Sequence, residues 1–150
     1  MNYEKIIKSI KSKQGKFNGK ELDYVLKALD SENSEHKVID WLLDFEESFA
    51  RTVGSKYAIA VNSGTSGLHA ALFAAGISEG DEVIQPALTV IMDAYAVLHH
   101  RGVPVFADVD ESTHLITAEE IEKKITAKTK AIITVAWDGI SCDMDPIMIL

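Results

Sequence analysis

Short apolar segments of strand length alternate with segments of helical periodicity between residues 57 and 135, and this alternation restricts the possible folds more than any other feature of the chain. The helical segments carry apolar residues three and four positions apart. A chain in which strands alternate with helices favours a parallel sheet with helices packed on its faces. We therefore predict an α/β fold with four strands, at residues 57–61, 82–85, 103–107 and 130–135.

The first 50 residues have a different pattern and are predicted to form a helical segment that precedes the sheet. One helix there has an apolar face made of Leu22, Val25, Leu26 and Leu29. A polar stretch at residues 30–34 is predicted to be a loop, and a second helix is predicted to end at Gly54. The lysines crowded into the first 20 positions are interpreted as the solvated face of a leading helix rather than as an anion-binding or membrane-binding surface.

Composition and charge exclude several classes of protein. The net charge of −8 is unfavourable for a nucleic-acid-binding protein, which needs a concentrated basic surface. No apolar run approaches the length of about 18 residues that a membrane-spanning helix requires. The start of the chain lacks an apolar leader and the single cysteine, Cys142, forms no internal disulfide, so we expect a cytoplasmic protein.

The strongest local feature is the sequence Asn-Ser-Gly-Thr-Ser-Gly at residues 62–67, between the first predicted strand and its helix. A helix N-terminus at the carboxyl edge of a parallel sheet offers free N–H groups and a partial positive charge to an anion. Gly64 permits close approach of the backbone, and Thr65 and Ser66 add hydroxyl groups. These features indicate a phosphate-binding site, although the spacing is that of neither a Walker loop nor a dinucleotide fingerprint. The alternative is a helix capped by Ser63 or Thr65 that binds no ligand.

Other polar residues give weaker signals. Asp108 and Asp110 lie on one face of a strand end, as a pair of metal ligands would, but a solvated strand end explains them too. His99 and His100 are neighbours on a helix and point about 100° apart, which disfavours a shared metal. His69 is interpreted as a hydrogen-bonded core histidine, with ligand contact as the alternative. No metal site is predicted.

Several segments together resemble the DegT-type family of pyridoxal 5'-phosphate (PLP)-dependent nucleotide-sugar aminotransferases. The resemblance begins with residues 57–69, which contain the glycine turn, and ends with the sequence Cys-Asp-Met-Asp at residues 142–145. Between them, the second, third and fourth predicted strands also match the family pattern, in order and with the family's spacing. The match extends from about Gly19 to the end of the chain.

This resemblance implies a fold, a cofactor and a reaction. The fold would be the N-terminal part of a type I PLP-enzyme large domain, similar to aspartate aminotransferase, so that residues 1–50 form a helical segment and residues 51–150 an incomplete PLP-binding domain. Gly64, Thr65 and Ser66 would hold the cofactor phosphate, and residues 87–91 would pass over the pyridine ring. The reaction would transfer an amino group, commonly from glutamate, to a keto group of a nucleotide-linked sugar, in a homodimer.

The sequence departs from the family pattern at positions that concern the substrate. Val90 stands where relatives usually carry an aromatic residue on the cofactor ring, and Ala136 stands where many carry histidine. The lysine that would bond covalently to PLP and the carboxylate that would contact its ring nitrogen are expected beyond Leu150, so no catalytic residue is assigned and the chain is interpreted as truncated. Alternatives are a non-catalytic fragment or regulatory remnant of this fold, and a PLP-dependent sugar dehydratase.

Overall fold

The structure, a computed structural model, describes residues 20–33 and 41–150, with the side chains of residues 30–33 left out. It divides into two units, Met1–Ala60 and Val61–Leu150. The basic residues before Lys20 lie outside the described residues, and so does Val38, which the sequence places on the apolar side of the second helix. No helix in the described ranges has both the length and the apolar character needed to cross a membrane.

The first unit contains two helices, as the sequence predicts. Helix α1 spans Lys20–Asn33 and helix α2 spans Trp41–Val53. The prediction of a loop from residue 30 onward is wrong, because α1 continues for one more turn through serine, glutamate and asparagine, whose helix penalties are only a few tenths of a kcal/mol each. Helix α2 ends at Gly54 as expected. Gly54 has a φ of 73°, and Ser55 N–H donates to the carbonyl of Ala50 at 3.0 Å, which is the usual glycine-terminated helix end.

Residues 57–61 are not a strand in the structure, so the first predicted strand is wrong for this chain. Tyr57 is 73% exposed and Ile59 is 82% exposed. The N–H of Ala60 donates instead to the Glu46 carboxylate at 2.7 Å. A strand is stable only when its backbone groups pair with a neighbouring strand, and the described residues provide no ladder partner for this segment.

The second unit contains a three-stranded parallel sheet. Its strands are β1, Glu82–Pro86, β2, Val103–Ala107, and β3, Thr129–Ile132. The order is β2-β1-β3, so β1 is central and pairs in parallel with both neighbours. The predicted parallel sheet is therefore confirmed, although β3 is shorter than the predicted segment 130–135. Pairing continues for one residue past β3, where Ile133 N–H donates to the Ile84 carbonyl at 2.8 Å.

Helices cover both faces of this sheet. The helices of the second unit, in chain order, are α3, Gly64–Ala74, α4, Met92–His99, α5, Ala118–Glu122, and α6, Met144–Ile147, and a single 3-10 turn covers Trp137–Gly139. Val83 packs with apolar residues of α3 and α4. Its neighbour Ile84 packs on the opposite face with residues of α5 and α6. Both side chains are completely buried because successive strand residues point to opposite faces and each face has its own layer of helices.

The sequence Thr-Ala-Glu-Glu at residues 117–120 predicts a capping box, followed by a helix with Ile121 and Ile125 on its inner face. The structure confirms one half of the box and corrects the helix length. Thr117 Oγ1 accepts a hydrogen bond from the N–H of Glu120 at 3.3 Å, as the sequence predicts. The Glu120 carboxylate bonds to the Lys123 ammonium group. Ile121 is buried as expected, but Ile125 is 41% exposed because α5 ends at Glu122 and the helical periodicity does not extend to it.

We predict that the 150-residue chain, expressed alone, associates through exposed apolar surface. Large apolar side chains are at least half exposed along α1, α2 and residues 57–61, as in Leu29, Phe45 and Ile59. Sedimentation velocity should show polydisperse species, and a dye specific for apolar surface should bind strongly. A soluble monomer with a sharp two-state thermal transition would contradict this prediction.

Candidate functional site

The turn at residues 62–67 forms the capped N-terminus of α3. Ser63 is the N-cap residue, with an extended backbone at φ −160° and ψ 160°. Its Oγ accepts a hydrogen bond from Ser66 N–H at 3.1 Å, and its carbonyl accepts one from Gly67 N–H at 3.1 Å. Of the two N-cap residues that the sequence allows, the structure therefore selects Ser63 rather than Thr65.

The remaining donors of this turn belong to Gly64 and Thr65. As the first two residues of α3, they have N–H groups without an acceptor inside the helix. Gly64 is exposed, and a Cβ at this position would meet no atom within 4 Å. Its φ lies outside the left-handed region, so neither packing nor backbone strain explains a glycine here. The glycine does leave the amides open to a group outside the chain.

Ser66, the third residue predicted to bind the cofactor, has its polar groups engaged within the turn. Its N–H bonds to the N-cap, and its hydroxyl donates to Asn62 Oδ1 at 2.6 Å. The same hydroxyl lies 3.0 Å from Ser63 Oγ. Ser66 therefore holds the shape of the turn, and its predicted contact with a phosphate stays a prediction.

The electrostatics of α3 differ from those of the other described helices. Helices α1, α2, α4, α5 and α6 each carry at least one acidic residue in the first turn, where a carboxylate complements the helix dipole. The first turn of α3 carries none. Its partial positive charge is therefore not offset by a carboxylate in that turn, which suits an external anion.

The topology places this helix N-terminus at the carboxyl edge of the sheet. Leu68 and Leu72 of α3 pack with Val83 of β1, and α3 leads into β1 through Gly76 and a short turn. Because α3 runs opposite to β1, its N-terminus lies at the end where β1 finishes. The loop that follows β1, residues 87–91, begins at the same edge, where Ala87 N–H bonds to the Ala107 carbonyl at 2.8 Å.

Val90 lies in this loop and is 57% exposed, so its side chain can contact a group bound at the edge. The next helix starts at once, and its N-cap, Ile91, makes no side-chain capping bond. Two interactions hold the junction instead. Asp93 N–H donates to the Val90 carbonyl at 3.3 Å, and Thr89 Oγ1 donates to the Asp93 carboxylate.

Sequence reasoning missed two buried polar residues, Gln85 and Asp93. Gln85 is completely buried, and neither polar atom of its side chain has a partner within the described part of the chain. Asp93 is 3% exposed. The signal for Asp93 was present, because it precedes Ala96 and Val97 by three and four residues and so shares their buried helix face.

Asp108 and Asp110 make local turn contacts. Asp110 Oδ1 accepts hydrogen bonds from the N–H and hydroxyl groups of both Ser112 and Thr113, at 2.5 to 3.0 Å. These bonds, led by the Ser112 hydroxyl, lower the pKa of Asp110 to about 2. Asp108 Oδ1 accepts the N–H of Val109. Nowhere in the described ranges do three or more histidine, cysteine or acidic side chains form a group suited to a metal ion.

The three helical histidines lie close together on α3 and at the end of α4. The His69 ring is 4.4 Å from that of His100 and 5.5 Å from that of His99. His100 Nε2 lies 3.0 Å from the carbonyl of His69. The interpretation of His69 as a core residue is wrong, because its position on α3 faces outward and its side chain is exposed. Cys142 is buried and packs as a small apolar side chain, with Sγ 3.5 Å from the Val135 carbonyl.

Comparison with known proteins identifies the family. The model of the DegT/DnrJ/EryC1/StrS aminotransferase family matches residues 16–150. The chain belongs to this family. The resemblance predicted from the glycine turn, the three later strands and residues 142–145 is thereby confirmed.

The relatives of this family member include enzymes of known reaction. GDP-perosamine synthase of Caulobacter vibrioides is 44% identical over 133 residues, which cover 89% of this chain and 36% of the relative. The aminotransferase of Psychrobacter cryohalolentis, solved by X-ray diffraction, is 41% identical with a TM-score of 0.82, over 92% of this chain and 35% of that protein. The chain thus spans about a third of the length of these relatives.

A dehydratase is also among the structural neighbours. GDP-4-keto-6-deoxymannose-3-dehydratase, solved with PLP and glutamate trapped together, is 28% identical with a TM-score of 0.79. The match covers 89% of this chain and 36% of that protein. The fold is consistent with the N-terminal part of the aminotransferases among these neighbours, and several neighbours are solved with PLP or its amino form bound.

We predict that Ser63→Ala weakens the first turn of α3, because it removes the acceptor of the Ser66 N–H. N-cap losses of this kind cost about 1 kcal/mol, whereas Ser63→Gly should cost only a few tenths. Hydrogen exchange at the first-turn amides measures the difference. Wild-type protection of these amides in the alanine variant would contradict the role of Ser63 as the cap.

We also predict that the carboxyl group of Asp110 titrates near pH 2 in the folded protein. Its folded pKa lies below the usual 3.8, so its turn contacts stabilise the fold fully above about pH 4 and cease to do so as the pH falls through 2. The carboxyl carbon shift in NMR spectra follows this titration. Simultaneous replacement of Ser112 and Thr113 by alanine should return the midpoint toward 3.8, and an unchanged midpoint would refute the assignment.

Proposed function

We propose that this chain is the front part of a PLP-dependent enzyme that transfers an amino group, from glutamate, to a keto group of a nucleotide-linked sugar. The similarity to GDP-perosamine synthase and to a solved aminotransferase supports the reaction class. Because the chain spans about a third of these relatives, the activity would belong to a longer protein. Within that protein, this chain would bind the phosphate group of the cofactor.

One observation carries the proposal: the N-terminus of α3 offers the open amides of Gly64 and Thr65 at the carboxyl edge of the sheet, without a first-turn carboxylate. A phosphate monoester fits such a site because it accepts several hydrogen bonds and carries the charge that the helix dipole favours. We assign Gly64, Thr65 and Ser66 to the phosphate. Thr65 would add its hydroxyl, and Ser66 would act through the shape of the turn.

PLP, when bound, withdraws electrons from the amino-bearing carbon of the substrate. The residues of this chain would anchor and orient it. Gly64 and Thr65 would fix the phosphate, and Val90, exposed in the loop after β1, would cover one face of the ring. Valine gives apolar contact without the stacking energy of about 1 kcal/mol that an aromatic residue would add.

No lysine in the described part of the chain suits covalent attachment of PLP. Such a lysine needs a desolvated site to be deprotonated and reactive. The described lysines are all exposed to solvent: Lys20, Lys27, Lys56, Lys123, Lys124, Lys128 and Lys130. We therefore propose that the covalent lysine, like the carboxylate at the ring nitrogen, comes from outside the described part of the chain.

A sugar dehydratase that uses PLP is the second candidate reaction. The structural similarity to GDP-4-keto-6-deoxymannose-3-dehydratase favours it, since the two reactions share the cofactor and this part of the fold. The departures from the family pattern at Val90 and Ala136 leave the phosphate turn intact. In either case we propose a cytoplasmic homodimer as the working form.

We predict that Thr65→Glu in the product of the complete reading frame abolishes tight PLP binding. A carboxylate about 4 Å from the phosphate costs about 4 kcal/mol at an effective dielectric constant near 20, so affinity should fall by at least a hundredfold. Titration of the apoprotein with PLP, followed by absorbance, measures this.

Met144→Glu is the control, because it places the same charge in the first turn of another helix, α6, at an exposed residue away from the α3 turn. It should bind PLP as the wild type does. Failure of the wild-type protein to bind PLP would overturn the proposed function. Unchanged affinity in Thr65→Glu would show that the phosphate binds elsewhere.

A further inference from the structure

The two buried polar side chains of the second unit occupy one layer of the structure. Val83 of β1 and Val97 of α4 belong to the same buried cluster. Gln85 follows Val83 by two residues, on the same strand face and about 7 Å toward the carboxyl edge. Asp93 precedes Val97 by four residues, which is one helical turn of about 6 Å. Because α4 runs opposite to β1, both displacements lead to the same edge, the one at which α3 begins.

Asp93 is an unusual choice for this position. A buried carboxylate loses its hydration, and only hydrogen bonding or an opposite charge offsets that cost. Its neighbours on the buried helix face, Ala96 and Val97, are apolar. Thr89 donates its hydroxyl to the Asp93 carboxylate from the loop that carries Val90. The carboxylate therefore ties this loop to the first turn of α4.

The junction between this loop and α4 has no side-chain helix cap, which would be the usual way to hold it. Ile91, the N-cap of α4, offers no side-chain acceptor. The loop is held by Thr89 and Asp93, by Asp93 N–H on the Val90 carbonyl, and at its other end by Ala87 N–H on β2. Val90 follows Thr89 and accepts the Asp93 N–H through its carbonyl, so both contacts hold its backbone. Its side chain is exposed.

We propose that Asp93 is a positioning residue that, through Thr89, sets the height and orientation of residues 87–91 at the cofactor site and so aims Val90 at the ring. This inference rests on the proposed function, because it assumes that PLP is the group that Val90 covers. A carboxylate in a dry layer makes a stronger bond to a hydroxyl than an exposed one does. This bond orders the loop before the cofactor binds, so cofactor binding loses little conformational entropy.

The experiment uses the product of the complete reading frame loaded with PLP, and compares Thr89→Val with Thr89→Ser. Valine keeps the shape of threonine and removes only the hydroxyl, whereas serine keeps the donor. We expect Thr89→Val to weaken PLP binding about tenfold, because the loop must then become ordered on binding, at a cost of about 1.4 kcal/mol. We also expect it to change the visible circular dichroism per bound PLP, which reports ring orientation. Thr89→Ser should restore both.

Two further measurements separate positioning from general stability. Hydrogen exchange in the apoprotein should accelerate at residues 88–93 of Thr89→Val and stay unchanged in β1. Asp145→Ala, which removes an exposed first-turn aspartate of α6, should leave PLP affinity and dichroism at wild-type values.

Wild-type dichroism and affinity in Thr89→Val, even with a lower melting temperature, would overturn the inference while leaving the proposed function standing. Absence of PLP binding in the wild-type protein would overturn both.

Discussion

Parallel pairing of β1 with both of its neighbours is the constraint on which the second unit depends. Because all three strands run the same way, each connection must cross a face of the sheet, and the helices that make these crossings run opposite to the strands. The carboxyl end of β1 and the N-terminus of α4 are thereby brought to one edge, and α3, which packs on β1 and leads into it through a short turn, begins at the same edge. The apolar contacts of Val83 and Ile84 on the two faces hold this arrangement in place.

The turns and helix starts at this edge and near it differ in whether a carboxylate accepts their hydrogen bonds. In the turn after β2, Asp110 supplies a carboxylate that takes four hydrogen bonds from Ser112 and Thr113. At the start of α4, Asp93 is buried and bonded to Thr89. At the start of α3 the chain supplies a serine cap and no charge, which leaves Gly64 and Thr65 for an external anion. The difference in carboxylate placement, more than the glycine itself, distinguishes the candidate site from the other helix ends.

Much of this could be predicted from the sequence, and the failures have physical reasons. The strands β1 and β2 were predicted almost to the residue, because short apolar runs bounded by glycine and proline leave few alternatives. Residues 57–61 have the same local pattern but form no strand, since a strand depends on a partner that local sequence does not specify. Ile125 was misplaced because periodicity does not show where a helix ends.

The site was predictable in part. The glycine turn has a sequence signature, and its residues lie where the pattern places them, at the start of α3. The buried layer of Gln85 and Asp93 was not predicted, because the spacing that assigns a residue to a buried face assumes an apolar side chain there. A polar residue at such a position breaks the pattern, and that break is the sequence signal for a buried polar group.

The central claim is that a phosphate binds to the first amides of α3. The most direct test is amide NMR on the protein from the complete reading frame, labelled with nitrogen-15 and titrated with PLP. We predict that the Gly64 and Thr65 amide protons shift downfield more than any others, as expected when they donate to a phosphate. Saturating PLP that leaves these two resonances in place, with the largest shifts elsewhere, would contradict it.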